Sequence, residues 1–193
     1  MASRHCPSCG VHRRLCVCDA CQAMVRAPEI WVLQHPQERH HSKGTLRIAQ
    51  GCLPQMRVLV GEHLDDFAPL SQLARPDDTA LVFPTPHSVA LEPAPPGAIR
   101  RWVIIDGTWR KARKILHCNP WLQALPCVHF AQPPESRYHI RKRPGPQALS
   151  TVESIAWLIR HAAPCCDVTP LYRGLEVLID RRRAAIPENR KNA

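Results

Sequence analysis

Long apolar runs, a secretory signal and internal repeats are all missing from this sequence of 193 residues. No stretch approaches the roughly 18 apolar residues that a membrane-spanning helix requires, which predicts a protein without a membrane segment. The opening residues, MASRHCPSCG, contain no apolar core of the kind that a secretory signal needs. The length suits one well-buried domain with a small appendage. Together these features predict a cytoplasmic globular protein.

Acidic residues are scarce relative to basic ones. The chain has 16 Asp and Glu against 26 Lys and Arg, which gives a net charge of +10 and a pI near 9.5. The excess of positive charge is clustered rather than evenly spread, and this favours a polyanionic partner. Nucleic acid is therefore the first candidate ligand.

Ten cysteines are present, and five of them fall in the short stretch CPSCGVHRRLCVCDAC. Without a secretory signal, reduced thiols that bind metal are favoured over disulfides. We predict a structural zinc site in a cysteine-rich segment, residues 1–27, with four ligands: Cys6, Cys9, Cys16 and Cys18. Cys21 is a fifth thiol, which could replace Cys16 or Cys18. A flexible terminus with free thiols, or a redox pair, is the alternative.

Residues 28–193 are predicted to form the main domain, in which strands alternate with helices. The strand-like segments are 29–34, 56–61, 79–84, 101–106 and 127–131, and a proline-rich loop is expected between the third and fourth. The predicted helices are 44–53, 109–118, 151–163 and 170–185. This alternation indicates an α/β fold with a largely parallel sheet and helices on both faces. In the helix that begins at Trp109, the spacing predicts Trp109, Ala112 and Leu116 toward the sheet and basic side chains toward solvent.

Asp106 closes the segment WVIID, at the predicted carboxyl end of a parallel strand. Ligands of open α/β sheets bind outside these strand ends, so Asp106 is a candidate functional acid. Gly107 permits a tight turn, and Thr108 can cap the following helix. The alternative is an acid placed near a helix start because the helix dipole favours it there.

Three further segments carry more than one interpretation. Ser150 and Glu153 match a capping box. The segment RYHIRKRPGP is either a solvated basic loop or a phosphate site with a stacking ring, Tyr138 or His139. The segment LQHPQERHHSKGTLRIA contains His35, Glu38, His40 and His41, but its spacing does not favour a metal site. The helix start near Thr45 suits either an ordinary cap or an anion.

The whole pattern resembles the DTW-domain family, named for the D-x-T-W motif that here is Asp106, Gly107, Thr108 and Trp109. The segments LQHPQE, FP, IIDGTW and STVE, and the N-terminal C-x-x-C and C-x-C pairs, occur in the order of that family. Members are similar to the SPOUT class of RNA-modifying enzymes, so the resemblance implies a SPOUT-like α/β fold with a C-terminal knot.

The resemblance also implies an activity: transfer of the 3-amino-3-carboxypropyl group of S-adenosylmethionine to a ring nitrogen of a tRNA uridine, in the variable loop for bacterial members. Asp106 would be the catalytic base or an electrostatic stabiliser. The donor would bind at Phe83, Pro84, Thr85, Thr108, Trp109, Leu149, Ser150, Thr151 and Glu153. The tRNA would bind at Arg110, Arg113, Lys114, Arg137, Arg141, Lys142 and Arg143. Two alternatives remain: a SPOUT-like RNA methyltransferase, and a non-catalytic zinc-containing RNA-binding module.

Overall fold

The computed structural model describes residues 3–92, 98–140 and 148–185, and its centre is a parallel six-stranded sheet. The strands are β1 (Glu29–Gln34), β2 (Arg57–Val60), β3 (Thr79–Val82), β4 (Val89–Ala90), β5 (Arg101–Asp106) and β6 (Cys127–His129). Their order across the sheet is β2-β1-β5-β3-β6-β4, and every pairing is parallel. The predicted α/β class and parallel sheet are confirmed.

Helices pack on both faces of this sheet. Their bounds are α1 (Leu46–Cys52), α2 (Ala68–Ser71), α3 (Trp109–Cys118), α4 (Pro120–Gln123), α5 (Thr151–Ala162) and α6 (Thr169–Ala184). Along β5, Trp102 and Ile104 join the core beneath α1, α5 and α6, whereas Val103 joins the core beneath α3 and α4. This alternation follows from the two-residue period of a strand buried on both faces. No helix in the described part of the chain has the length and apolar character needed to cross a bilayer.

The edge strands differ from their predicted form. The segment of β2 was expected to be buried, but its side chains are half-buried or exposed because β2 is the outermost strand beside β1. β4 lies in the stretch predicted as a proline-rich loop, and it pairs with β6 over only two residues. A strand this short shows no periodicity that sequence reasoning could detect.

The helix ends lie within one residue of their predicted positions where cap chemistry is strong. α3 ends at Cys118, directly before Asn119 and Pro120, because the residue before a proline disfavours helical geometry. α6 begins at Thr169, one residue before its predicted start, with Val168 as its N-cap residue and Pro170 in its first turn. α6 also packs closely against α1: a Cβ on Gly174 would lie 2.5 Å from Cγ2 of Ile48, so only glycine allows this approach.

The start of α5 is held by the capping box that Ser150 and Glu153 were predicted to form. Glu153 is 3% exposed, and its carboxylate accepts four hydrogen bonds. The donors are Ser150 N (2.8 Å), Ser150 Oγ (2.6 Å), Ser136 Oγ (2.7 Å) and Arg137 N (2.7 Å). One carboxylate therefore joins the helix start to the segment at residues 136–137.

Glu153→Ala should lower the free energy of unfolding by about 2–4 kcal/mol, because it leaves several buried donors without an acceptor. The measurement is urea unfolding followed by circular dichroism. Glu176→Ala is the control, since Glu176 is an exposed acid paired with Arg137, and its removal should cost under about 1 kcal/mol. Equal losses in the two variants would contradict the structural role of Glu153.

Candidate functional site

A cavity of about 310 Å³ lies at the carboxyl end of the sheet. It is bounded by the ends of β3, β5 and β6, the start of α3, and the first residues of α5 with the segment before them. Most of its wall is apolar, and the residues that line it are Val82, Phe83, Pro84, Ile104, Ile105, Gly107, Trp109, Ala112, Val128, His129, Phe130, Pro133, Ala148, Leu149, Thr151 and Ser154. Its size lies at the lower end of the range for small-molecule pockets, roughly 300–1,000 Å³.

Asp106 is the last residue of β5, as predicted, and is 8% exposed. Its Oδ2 accepts a hydrogen bond from Gln34 Nε2 at 2.9 Å, and its Oδ1 accepts one from Thr151 Oγ1 at 2.5 Å. Thr151 lines the cavity, whereas Asp106 does not. Thr151 therefore connects the Asp106 carboxylate to the wall of the cavity.

The residues predicted to bind the donor divide into two groups. Phe83, Pro84, Trp109, Leu149 and Thr151 line the cavity. The other four do not line it: Thr85, Thr108, Ser150 and Glu153. Thr108 is the N-cap residue of α3 but makes no side-chain capping bond.

Trp109 was predicted to face the sheet, and this prediction is wrong. Its side chain is 44% exposed, and its ring meets Phe83 edge-on with the ring centroids 5.6 Å apart. Ala112 and Ile115 occupy the buried face of α3 instead. Trp109 starts the helix beyond the end of β5, so its side chain covers the cavity and not the sheet. A partly exposed indole at a cavity wall can stack on a planar ligand.

Gly107 does not have a left-handed backbone conformation, so its φ alone does not require glycine. Among the described residues, only Gly10 has a positive φ. A Cβ on Gly107 would lie 3.1 Å from Cβ of Lys111, so the missing side chain here relieves crowding at the cavity wall.

The basic face of α3 is exposed, as predicted, at Arg110, Arg113 and Lys114. Lys114 already has an anionic partner, because its Nζ lies 2.5 Å from Oε2 of Glu62. Lys114 is also the main cause of a lowered pKa for Glu62. Arg110 and Arg113 are therefore better placed than Lys114 to meet an anion.

The predicted basic loop is described only in part. Arg137 is exposed, pairs with Glu176 at 3.1 Å, and lies over the ring of Tyr172. Tyr138 is 2% exposed and donates its hydroxyl to Lys43 O at 3.0 Å, so its ring is not open to stack on a base. The other predicted RNA contacts fall outside the described residues: Arg141, Lys142 and Arg143.

The loop after β1 supports the site from one side. His35 Nδ1 accepts from Gln37 N at 3.2 Å, which leaves the ring proton on Nε2 to donate to Glu62. Glu38 binds Lys111 Nζ at 2.8 Å.

At the start of α1, Thr45 Oγ1 accepts from Val152 N at 3.2 Å, so this hydroxyl holds α5 in place and does not cap α1. Gln34 and Glu62 were not predicted as site residues. Gln34 lies in the LQHPQE segment, whereas no sequence motif marks Glu62.

The cysteine segment brings together the four residues predicted as metal ligands. The Sγ atoms of Cys6, Cys9, Cys16 and Cys18 all lie within 4.8 Å of one another. Two Sγ pairs are separated by 4.0 Å (Cys6 and Cys18) and 3.7 Å (Cys9 and Cys16). Tetrahedral zinc with Zn–S bonds of about 2.3 Å has S–S edges of about 3.8 Å. The four thiols thus fit a Cys₄ metal site.

The thiols of this cluster differ in acidity. Hydrogen bonding from the backbone of Cys9, with the Cys16 side chain next, lowers the pKa of Cys6 to about 6. A thiolate is the form that binds metal, so Cys6 is prepared for ligation at neutral pH. Cys21 lies outside the cluster; its thiol contacts the Val17 and Ile48 carbonyl oxygens, and the neighbouring Cys52 raises its pKa.

Comparison with known proteins gives consistent matches. A family profile described as "DTW domain" matches residues 3–183. The chain is similar to proteins named tRNA-uridine aminocarboxypropyltransferase 2 from Macaca fascicularis (28% identical, 78% of this chain and 54% of the relative), Mus musculus (27%, 90% and 61%) and Drosophila melanogaster (33%, 70% and 59%). The chain thus spans between one half and two thirds of the length of these relatives. No solved structure matches the chain at a significant level.

The cysteine cluster should bind one zinc ion per chain, because its four thiols fit a tetrahedron. Metal analysis by mass spectrometry checks this in freshly purified protein that has not met a chelator. Cys9→Ser should lose the metal, and Cys21→Ser, the matched control outside the cluster, should retain it. Retention in Cys9→Ser with loss in Cys21→Ser would assign the ligands differently.

Proposed function

This chain belongs to the DTW domain family, and from that premise we propose that it is a tRNA-uridine aminocarboxypropyltransferase. The proposed reaction moves the 3-amino-3-carboxypropyl group of S-adenosylmethionine to a ring nitrogen of uridine. We place the target uridine in the variable loop of tRNA. A SPOUT-like fold with a C-terminal knot is part of the same proposal, which the parallel sheet supports.

The observation that carries the proposal is the acid beside the cavity. Asp106 is buried at the carboxyl end of β5 and reaches the cavity through the hydroxyl of Thr151. A carboxylate bonded to a hydroxyl that faces a ligand can accept a proton through that hydroxyl. The surrounding wall is largely apolar, which offers few partners to water beside the path.

The proposed chemistry uses this pair in a defined way. The imino nitrogen of uridine attacks the methylene carbon next to the sulfonium, the carbon–sulfur bond breaks, and methylthioadenosine leaves with that electron pair. The imino proton passes to Thr151 Oγ1 as the Thr151 proton passes to Asp106 Oδ1. Gln34 holds the second carboxylate oxygen and so fixes the orientation of Asp106 during the transfer.

The cavity suits a donor that has an aromatic and a charged part. Phe83 and Trp109 provide ring surface for a nucleobase, and the half-exposed Trp109 indole covers one side of the cavity. The Asp106 carboxylate lies behind Thr151, where its negative charge favours a nearby sulfonium. The cysteine site would supply structural zinc and takes no part in the reaction.

Arg110 and Arg113 provide the proposed tRNA contacts nearest to the cavity. Both are exposed on α3, the helix whose first turn forms part of the cavity wall. Phosphates bound along this helix would hold the target nucleotide beside Trp109. The names of the similar animal proteins also support tRNA as the substrate.

Incubation of the protein with tRNA and S-adenosylmethionine should give methylthioadenosine and aminocarboxypropyl-uridine, detected by mass spectrometry of digested nucleosides. Asp106→Asn should lower the single-turnover rate by about 10²–10⁴-fold, because general-base assistance is lost. Thr151→Val, which removes only the bridging hydroxyl, should also lower the single-turnover rate. tRNA affinity and the urea midpoint serve as controls and should be nearly unchanged for Asp106→Asn.

The alternatives predict different outcomes in the same assay. Adenosylhomocysteine together with a methylated nucleoside would indicate a methyltransferase, and tRNA binding without any product would indicate a binding module. Near-full activity in Asp106→Asn would contradict its role as a base. Mapping the modified fragment after ribonuclease digestion separates the variable loop from the D loop.

Neutralising Arg110 and Arg113 to glutamine should weaken tRNA binding and reduce its salt dependence. The slope of log affinity against log salt should fall by roughly 0.7–0.9 for each phosphate contact that is lost. The control changes Arg26 and Arg100 to glutamine, since both are exposed near the opposite, amino end of the sheet. Lys114→Gln should have a smaller effect because Glu62 already pairs with Lys114. If the slope of log affinity against log salt is the same in the wild type and the Arg110/Arg113 variant, α3 is not part of the RNA-binding surface.

A further inference from the structure

A second cleft, of about 270 Å³, lies between the cysteine segment and the loop that follows β1. It shares no lining residue with the cavity at the carboxyl end of the sheet. Its wall contains histidines from both segments together with two arginines: His5, His12, His40, His41, Arg39 and Arg47. The acid in this wall, Glu38, is engaged by Lys111. The cleft is therefore dominated by groups that attract or donate to an anion.

Two guanidinium groups share a single neutral acceptor beside this cleft: Arg47 lines the cleft, and Arg182 does not. Arg47 Nη1 donates to the Ser42 carbonyl oxygen at 3.1 Å, and Arg182 Nη2, from α6, donates to the same oxygen. The remaining nitrogens Nε and Nη2 of Arg47, and Nε of Arg182, are buried and have no hydrogen-bond partner within residues 3–92, 98–140 and 148–185. Buried donors of a charged group are costly when they stay unpaired.

The electrostatics of Arg47 and Arg182 also show that the two guanidinium groups have no anionic partner among the described residues. Burial, followed by the neighbouring Arg182 guanidinium, lowers the pKa of Arg47. Neither arginine forms an ion pair within the described part of the chain. Two like charges held together with unpaired donors favour a counter-anion, and the planar guanidinium fork matches the oxygens of a phosphate.

We propose that Arg47 and Arg182 form a binding site for a backbone phosphate of RNA, separate from the reaction cavity. A polymer is favoured over a single small anion because exposed arginines extend the positive charge around the cleft: Arg4, Arg13, Arg14 and Arg39. The identity of the RNA rests on the proposed function. The cysteine segment would thereby become part of the RNA surface, since it forms one wall of this site.

Compensation of thiolate charge is the competing explanation for Arg47. The Cys9 and Cys16 thiolates favour the charged guanidinium of Arg47, although this effect is smaller than that of burial. A tetrathiolate zinc site has net negative charge, so Arg47 would then stabilise the bound metal. The two explanations differ in what is lost on substitution: RNA affinity in one, metal in the other.

The test uses the full zinc-containing chain, with Arg47→Met and Arg182→Met as separate variants. Arg183→Met is the matched control, because Arg183 is exposed, adjacent to Arg182 on α6, and gives the same change in charge. Binding of unmodified tRNA is measured by fluorescence anisotropy over a series of salt concentrations. Arg47→Met and Arg182→Met should each weaken binding on the order of tenfold at low salt. Each should also reduce the salt slope by about 0.7–0.9. Slopes equal to that of Arg183→Met would overturn the proposal.

Two further readouts keep the result interpretable. Without RNA, the thermal midpoint of Arg47→Met should be equal to or above that of the wild type, because a buried unpaired cation is replaced by an apolar side chain. Inorganic phosphate should raise the midpoint of the wild type but not that of Arg47→Met. If phosphate stabilises the wild type but the salt slope of RNA binding is unchanged in the variants, the site binds free phosphate. If Arg47→Met loses zinc and its salt slope is unchanged, Arg47 stabilises the cysteine cluster. Either result overturns the RNA site.

Transfer activity is measured in parallel so that the two proposals fail separately. Absence of aminocarboxypropyl-uridine, with the expected salt slopes intact, would overturn the proposed reaction and leave the phosphate site standing. Formation of aminocarboxypropyl-uridine with unchanged salt slopes would support the proposed reaction and overturn the phosphate site.

Discussion

The hydrogen bonds of the Asp106 carboxylate join three parts of the molecule. One oxygen binds Gln34 at the end of β1, and the other binds Thr151 at the start of α5. The first turn of α5 is thereby held against the carboxyl end of the sheet, and the cavity forms in the space between them. Asp106 is therefore a structural link, and this role is compatible with the proposed role of the same carboxylate as a catalytic acid–base group.

The sheet could be predicted from sequence because its central strands are buried on both faces. β1 and β5 have their predicted bounds, since each is a continuous apolar run ended by a polar residue and a turn. Predictions failed where tertiary position decides the environment. Trp109 has helical spacing typical of a core residue, yet it lies past the end of the sheet. Tyr138 lies in a basic stretch typical of a surface loop, yet it is buried.

The candidate site could be predicted in its motif residues but not in their partners. Asp106, Trp109 and Thr151 belong to recognisable motifs, and Gln34 lies in the LQHPQE segment, but no pattern indicates that Gln34 contacts Asp106. Gln34 is 72 residues from Asp106 along the chain and becomes its neighbour only through the register of β1 against β5. Glu62 joins His35 and Lys114 for a similar reason, since it follows β2 at the same end of the sheet. Side-chain partners of this kind depend on strand order, and local patterns contain no information about strand order.

The distribution of buried polar side chains argues that the carboxyl end of the sheet is selected for more than stability. Buried polar or charged residues there include Gln34, His35, Glu38, Asp106 and Glu153. Each has hydrogen-bond partners, so the cost of burial is largely offset, but an apolar core would hold the strands together equally well. None of these five residues lines the cavity, but their hydrogen bonds fix the strand ends and the start of α5 that surround it before any ligand arrives. Such preorganisation lowers the reorganisation needed during a reaction, which is the physical reason to expect chemistry at this end of the sheet.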